Sequence, residues 1–134
     1  NLYNAHYKII NGSNFLIQEL EAGKAVGISE SSKSEMLAQA KFHRAMAYFN
    51  LLRYFGEFFD ANSQYGVVVR TNFATGLEYS PRSSVAETYS LILSDLDYAM
   101  NNGPQYVEHY RVGQVAATAL LARLQLYRGE FAAA

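Results

Sequence analysis

The sequence predicts an all-α helical repeat with a long irregular loop between its second and third helices. Three observations carry this. Half of the residues are hydrophobic and only 17% are charged, a composition that forms a core. Four segments place apolar residues at helical spacing. A Tyr-x-Gly-Glu-Phe segment also occurs twice, at Tyr54–Phe58 and at Tyr127–Phe131.

The first helix is expected over Leu2 to Glu21, where Tyr3, Ile10, Ile17 and Leu20 recur at helical spacing and Gly12 weakens the middle. Gly23 and Gly27 open a Ser-rich loop. The second helix is expected to start with a capping box at Ser32-Lys33-Ser34-Glu35, in which each end side chain satisfies the other's backbone N–H. It runs to Phe55, with Gly56 as its stop. Leu37, Ala40, Ala47, Leu51 and Phe55 form one stripe, and Phe42, Met46 and Phe49 form another. A helix apolar on two faces is packed between neighbours.

The stretch from Glu57 to Ser83 has no helical pattern, and its run Val67-Val68-Val69 suits an extended segment. A second capping box, Ser84-Val85-Ala86-Glu87, starts the third helix, whose stripe is Val85, Tyr89, Ile92, Leu96 and Ala99. Asn101-Asn102-Gly103-Pro104 ends it. The fourth helix, Gln114 to Arg128, is rich in Ala, which permits close approach of a neighbouring helix.

The two Tyr-x-Gly-Glu-Phe segments lie about two 34-residue periods apart, the spacing of TPR-like units. In that pattern the Gly makes the turn out of a helix. The aromatic two residues on packs back, and a later Ala begins the next helix. Gly129, Phe131 and Ala134 fit this pattern, whereas the copy at Gly56 is degenerate.

Composition excludes several function classes. Eleven basic and twelve acidic residues give a formal charge of -1, which offers no phosphate-binding surface, so no nucleic-acid partner is expected. Without cysteine there is no disulfide, thiolate metal site or catalytic thiol. No apolar run reaches the roughly 18 residues of a spanning helix. The chain starts at Asn1 and stops within what reads as the start of another helix. We expect residues 1–134 to be a fragment truncated at both ends, with any targeting signal or lipid-bearing cysteine outside it.

Three blocks carry a family resemblance. Ala40 to Gly56 reads AKFHRAMAYFNLLRYFG, Arg82 to Ala99 reads RSSVAETYSLILSDLDYA, and Gly113 to Tyr127 reads GQVAATALLARLQLY. In content, order and spacing they resemble the TPR-bearing half of the SusD-like (RagB/SusD) outer-membrane nutrient-binding lipoproteins. Tyr3, Tyr7, Ile10 and Asn14 are similar to the preceding helix of that family. Departures occur at Gln39, Glu57 to Phe59, Val68 and Gln114, all structural positions. The resemblance implies a cell-surface lipoprotein of Bacteroidetes-type bacteria, anchored to the outer membrane by lipid. Such a protein captures oligosaccharides, or in some relatives peptides, and delivers them to a SusC-like TonB-dependent transporter. It implies no cofactor and no enzyme chemistry. A TPR-type protein-interaction scaffold is the alternative.

Sugar binding needs an exposed aromatic face beside hydrogen-bonding groups. Of 11 Tyr and 8 Phe, most fall on helical stripes. The loop tyrosines Tyr65, Tyr79, Tyr106 and Tyr110 are the candidates for ligand contact. Other constellations carry less. His6, His43 and His109 have no metal-ligand partner at helical spacing. Asp95 and Asp97 diverge on their helix. Glu57 and Asp60 have no nucleophile beside them. Arg44, set within an apolar helix, is expected to pair with a carboxylate or a helix end. The sequon Asn11-Gly12-Ser13 lies within a helix and carries no functional reading.

Overall fold

The computed structural model describes residues 1–76, 79–106 and 108–134. Four helices follow in order: α1 (Leu2–Glu21), α2 (Glu30–Phe55), α3 (Val85–Asn102) and α4 (Gln114–Arg128), with no strand among the described residues. Three of the four match the expected bounds. The architecture is all-α and TPR-like, with α2 packed between α1 and α3, and α4 resting mainly on α3.

α2 begins two residues before Ser32, so the capping box expected at Ser32 and Glu35 does not form. Ser29 is the N-cap, and its side chain accepts from the Ser32 N–H. Several serines compete to cap this helix. Ser29 adds residues to α2 and places Glu30 in the first turn, where its charge complements the helix dipole. The box at Ser84 does form. Ser84 Oγ accepts from the Glu87 N–H, and the Glu87 carboxylate accepts from the Ser84 N–H.

Both stripes of α2 are used. Tyr48, Phe49, Leu51 and Leu52 join Ile10, Val67, Val85, Ile92, Leu96 and Leu124 in the main core. Ile17, Leu20, Leu37 and Ala40 make a smaller cluster at the other end of α1. Each Val, Leu, Ile or Phe side chain among these contributes about 1.5–3 kcal/mol on burial. Phe55, placed on the first stripe by its spacing, instead lies at the edge, 38% exposed.

The repeated Tyr-x-Gly-Glu-Phe segments diverge in space. Gly129 turns the chain with φ 76°, the left-handed cap expected of it. Gly56 is extended, with φ -116° and ψ 173°, and leads into the long loop. A methyl group there would sit 2.7 Å from Leu52 Cδ1 and 3.1 and 3.2 Å from the main-chain oxygens of Leu52 and Tyr65, so a larger residue would have to displace the buried Leu52 side chain. Phe131, expected to pack back, is 75% exposed, while Phe58 in the degenerate copy packs on the core beside Tyr127. After Gly129 a single turn closes, with Ala133 and Ala134 N–H donating to Glu130 O.

The base of the long loop is closed by main-chain bonds. Gly66 N–H donates to Ser83 O and Ser83 N–H to Val67 O, at 3.0 and 2.9 Å. Arg82 Nη1 donates to Phe55 O and Gly66 O, tying the loop to the end of α2.

Candidate functional site

Among the described residues, the outer half of the loop, residues 68–74, has no main-chain partner strand. Side chains of α1 and α2 hold it instead. Tyr7, Asn11, Asn14 and Gln18 follow one another along one face of α1 at intervals of three or four residues. Tyr7 OH donates to Val68 O at 2.8 Å. Asn14 Nδ2 donates to both Arg70 O and Asn72 O. Gln18 Oε1 accepts from the Phe73 N–H. Asn11 makes a two-way bond with Ala74, donating to its carbonyl at 3.0 Å and accepting from its N–H at 2.8 Å. From α2, the buried Tyr48 hydroxyl donates to Arg70 O at 2.7 Å and accepts from the Arg70 N–H at 2.6 Å.

Asn14 is itself set by a buried ion pair. Arg44 Nε and Nη2 reach the two oxygens of Asp95 at 2.7 and 2.8 Å, and Arg44 Nη1 donates to Asn14 Oδ1 at 2.8 Å. This bidentate pairing leaves both charges matched inside the core, and it meets the expectation for Arg44. Burial pushes the Tyr48 hydroxyl up to about 12 and raises that of Tyr7 further, so both stay protonated and able to donate.

Holding the loop this way leaves a cleft of about 370 Å³ between α1 and residues 70–76. Asn4, Tyr7, Lys8 and Asn11 form its helix side, and Arg70, Ala74 and Gly76 face them. Sequence reasoning missed this cleft. The available signal was the Asn11, Asn14, Gln18 polar stripe on a helix whose neighbouring face is apolar.

A second cavity of about 330 Å³ lies between the 105–113 segment and the start of α4. Tyr106 lines it together with Gln105, Glu108, His109 and Arg111, over an apolar floor that includes Val115 and Ala116. All four loop tyrosines are exposed: Tyr65 63%, Tyr79 94%, Tyr106 92% and Tyr110 82%. Tyr65, Tyr79 and Tyr110 line neither this cavity nor the α1 cleft, so the four do not form one platform. Among the described residues, no group of three His, Asp or Glu side chains could hold a metal ion, and no helix is long and apolar enough to cross a membrane.

Comparison with known proteins bears on this geometry. Residues 1–126 match the SusD-like family described as "Starch-binding associating with outer membrane". A SusD-like protein of Bacteroides ovatus is 25% identical over 126 residues, which are 94% of this chain and 22% of that protein. A solved SusD superfamily protein of Bacteroides thetaiotaomicron superposes with a TM-score of 0.90 at 30% identity, covering 98% of this chain and 29% of that one. A laminarin-binding SusD-like protein matches with a TM-score of 0.80 at 26% identity, covering 98% and 27%. The chain thus spans less than a third of the length of each of these relatives. With its helices, its three sequence blocks and nearly all of its length accounted for by that match, the chain belongs to the SusD-like family.

Proposed function

We propose that this chain is part of a glycan-capturing protein of the bacterial cell surface, held at the outer membrane by a lipid anchor. It binds oligosaccharide and passes it to a SusC-like TonB-dependent transporter, with no chemistry of its own. The observation that carries this reading is the Tyr106 cavity. It sets an exposed ring beside Gln105, Glu108, His109 and Arg111, the pairing of apolar face and hydrogen-bonding groups that a sugar ring needs. The family description as starch-binding and the laminarin-binding neighbour support the same ligand class.

A glycan array that includes laminarin tests it. Binding to one oligosaccharide class is expected, and Tyr106→Ala should weaken that binding about tenfold, the loss of one aromatic contact of about 1.4 kcal/mol. Substitution of Tyr65, Tyr79 or Tyr110 should have smaller effects. Silence across the array, with circular dichroism showing a folded protein, would overturn glycan capture. It would favour a peptide-carrying or TPR-type scaffold role, to which the exposed Val115 and Leu126 of α4 are suited. Retention of a TonB-dependent transporter on the immobilised protein tests the delivery step.

A further inference from the structure

We propose that Gln114 is a positioning residue of the Tyr106 cavity: its side chain fixes the root of the segment that carries Tyr106, and glycan affinity depends on that bond. This rests on the glycan-capture reading and adds to it a residue that does not itself line the cavity. Gln114 is the first residue of α4, and its N-cap, Gly113, offers no side chain to cap the helix. The Gln114 side chain turns back eleven residues, and its Nε2 donates to Gly103 O at 2.9 Å. Its main-chain N–H donates to Pro104 O at 3.0 Å. One residue thus joins the end of α3 to the start of α4. The carbonyl it holds is itself fixed. Gly103 is buried, its N–H donates to Ala99 O, and a methyl group on it would sit 2.6 Å from that oxygen.

Little else holds the segment. Among the described residues of 105–113, no side chain has a hydrogen bond or an ion pair, and the main-chain bond within the segment runs from the Arg111 N–H to Glu108 O. Val112 packs on the core, at the far end from Tyr106. Tyr106 closely follows Gly103 and Pro104, the two residues that Gln114 grips, and the cavity floor at Val115 and Ala116 directly follows Gln114. The clasp therefore sets the distance between Tyr106 and that floor before a ligand arrives. A ring held in place beforehand loses less freedom on binding, and affinity rises accordingly.

The test is titration calorimetry with laminarihexaose, maltohexaose and any further oligosaccharide that the array picks out. It compares the unaltered protein with Gln114→Glu and Gln114→Arg, with circular dichroism confirming the fold of each. Glu has the shape of Gln, but its carboxylate cannot donate to Gly103 O. At neutral pH, Gln114→Glu should bind about fivefold more weakly, the effect of one lost hydrogen bond. Near about pH 4 its carboxyl takes up a proton and donates again, so the deficit should shrink below about twofold. Glu108, His109 and Arg111 line the cavity in all three proteins, so their titration cancels in the ratio. Arg carries an N–H at the same place along its side chain, and Gln114→Arg should bind within about twofold of the unaltered protein. Amide exchange at Tyr106 should rise at neutral pH in Gln114→Glu and stay unchanged in Gln114→Arg. Equal affinity of Gln114→Glu at neutral pH, a deficit that persists in acid, an equal deficit in Gln114→Arg, or unchanged exchange at Tyr106 would each overturn the positioning role. The effect of Tyr106→Ala would still report on glycan capture in those cases. Silence of the unaltered protein toward every glycan would remove both readings.

Discussion

The two halves of the long loop are held by different means. At the base, Gly66, Val67 and Ser83 bond main chain to main chain. Farther out, the backbone of residues 68–74 is gripped by the side chains of Tyr7, Asn11, Asn14, Gln18 and Tyr48. Main-chain pairing requires two segments of matching conformation. Helical side chains can satisfy the same groups where no second extended segment is present, which meets the general demand that buried peptide groups be bonded. The base is therefore sensitive to backbone approach, and the outer half to the polar side chains of α1 and α2.

Replacing Asp95 should separate the halves most strongly. Asp95→Ala strands the buried Arg44, and the loss should be about 3–5 kcal/mol by urea denaturation. Because Arg44 also sets Asn14, amide exchange should rise more at Arg70 and Ala74 than at Gly66 and Ser83. An equal rise at all four would break the distinction.

Gly66→Ala attacks the other half. Its methyl group would lie 2.5 Å from Ser84 O and 2.6 Å from Ser83 O, both main-chain atoms that cannot swing aside. A cost of about 2–3 kcal/mol follows, with faster exchange at Ser83 and little change at Ala74.

Tyr48→Phe is the mildest of the three, at about 1–2 kcal/mol, since it removes one hydroxyl and keeps the buried ring. The Arg70 amide should lose protection while Ser83 keeps it. Calorimetric melting and exchange at those two sites check it together.

The helices were legible because their signals are local. Capping serines, terminal glycines and apolar spacing placed α1, α3 and α4 at their observed bounds. The start of α2 was ambiguous because serines crowd its first turn and any of them can cap. Repetition misled at Phe131, since an identical short segment says nothing about what lies opposite it; the core was available to Phe58 and not to Phe131. Loop position correctly indicated that Tyr65, Tyr79, Tyr106 and Tyr110 are exposed. It could not indicate the α1 cleft, which exists only where residues 4–11 meet residues 70–76 across the fold. Nothing in the sequence marked Asn11 and Asn14 as loop anchors, because the loop groups they hold are main-chain atoms, which leave no mark on the sequence.

That choice of partner has a further consequence. The grips on Val68, Arg70, Asn72, Phe73 and Ala74 close on peptide groups alone, which every residue type carries, proline's missing N–H excepted. Exchange of these side chains leaves those hydrogen bonds available, while Val69, which packs on the core, and Phe73, which packs on Phe15, add side-chain contacts of their own. The helices act as a fixed handle and the rim as a replaceable tool head, so new specificity can be fitted without rebuilding the mount.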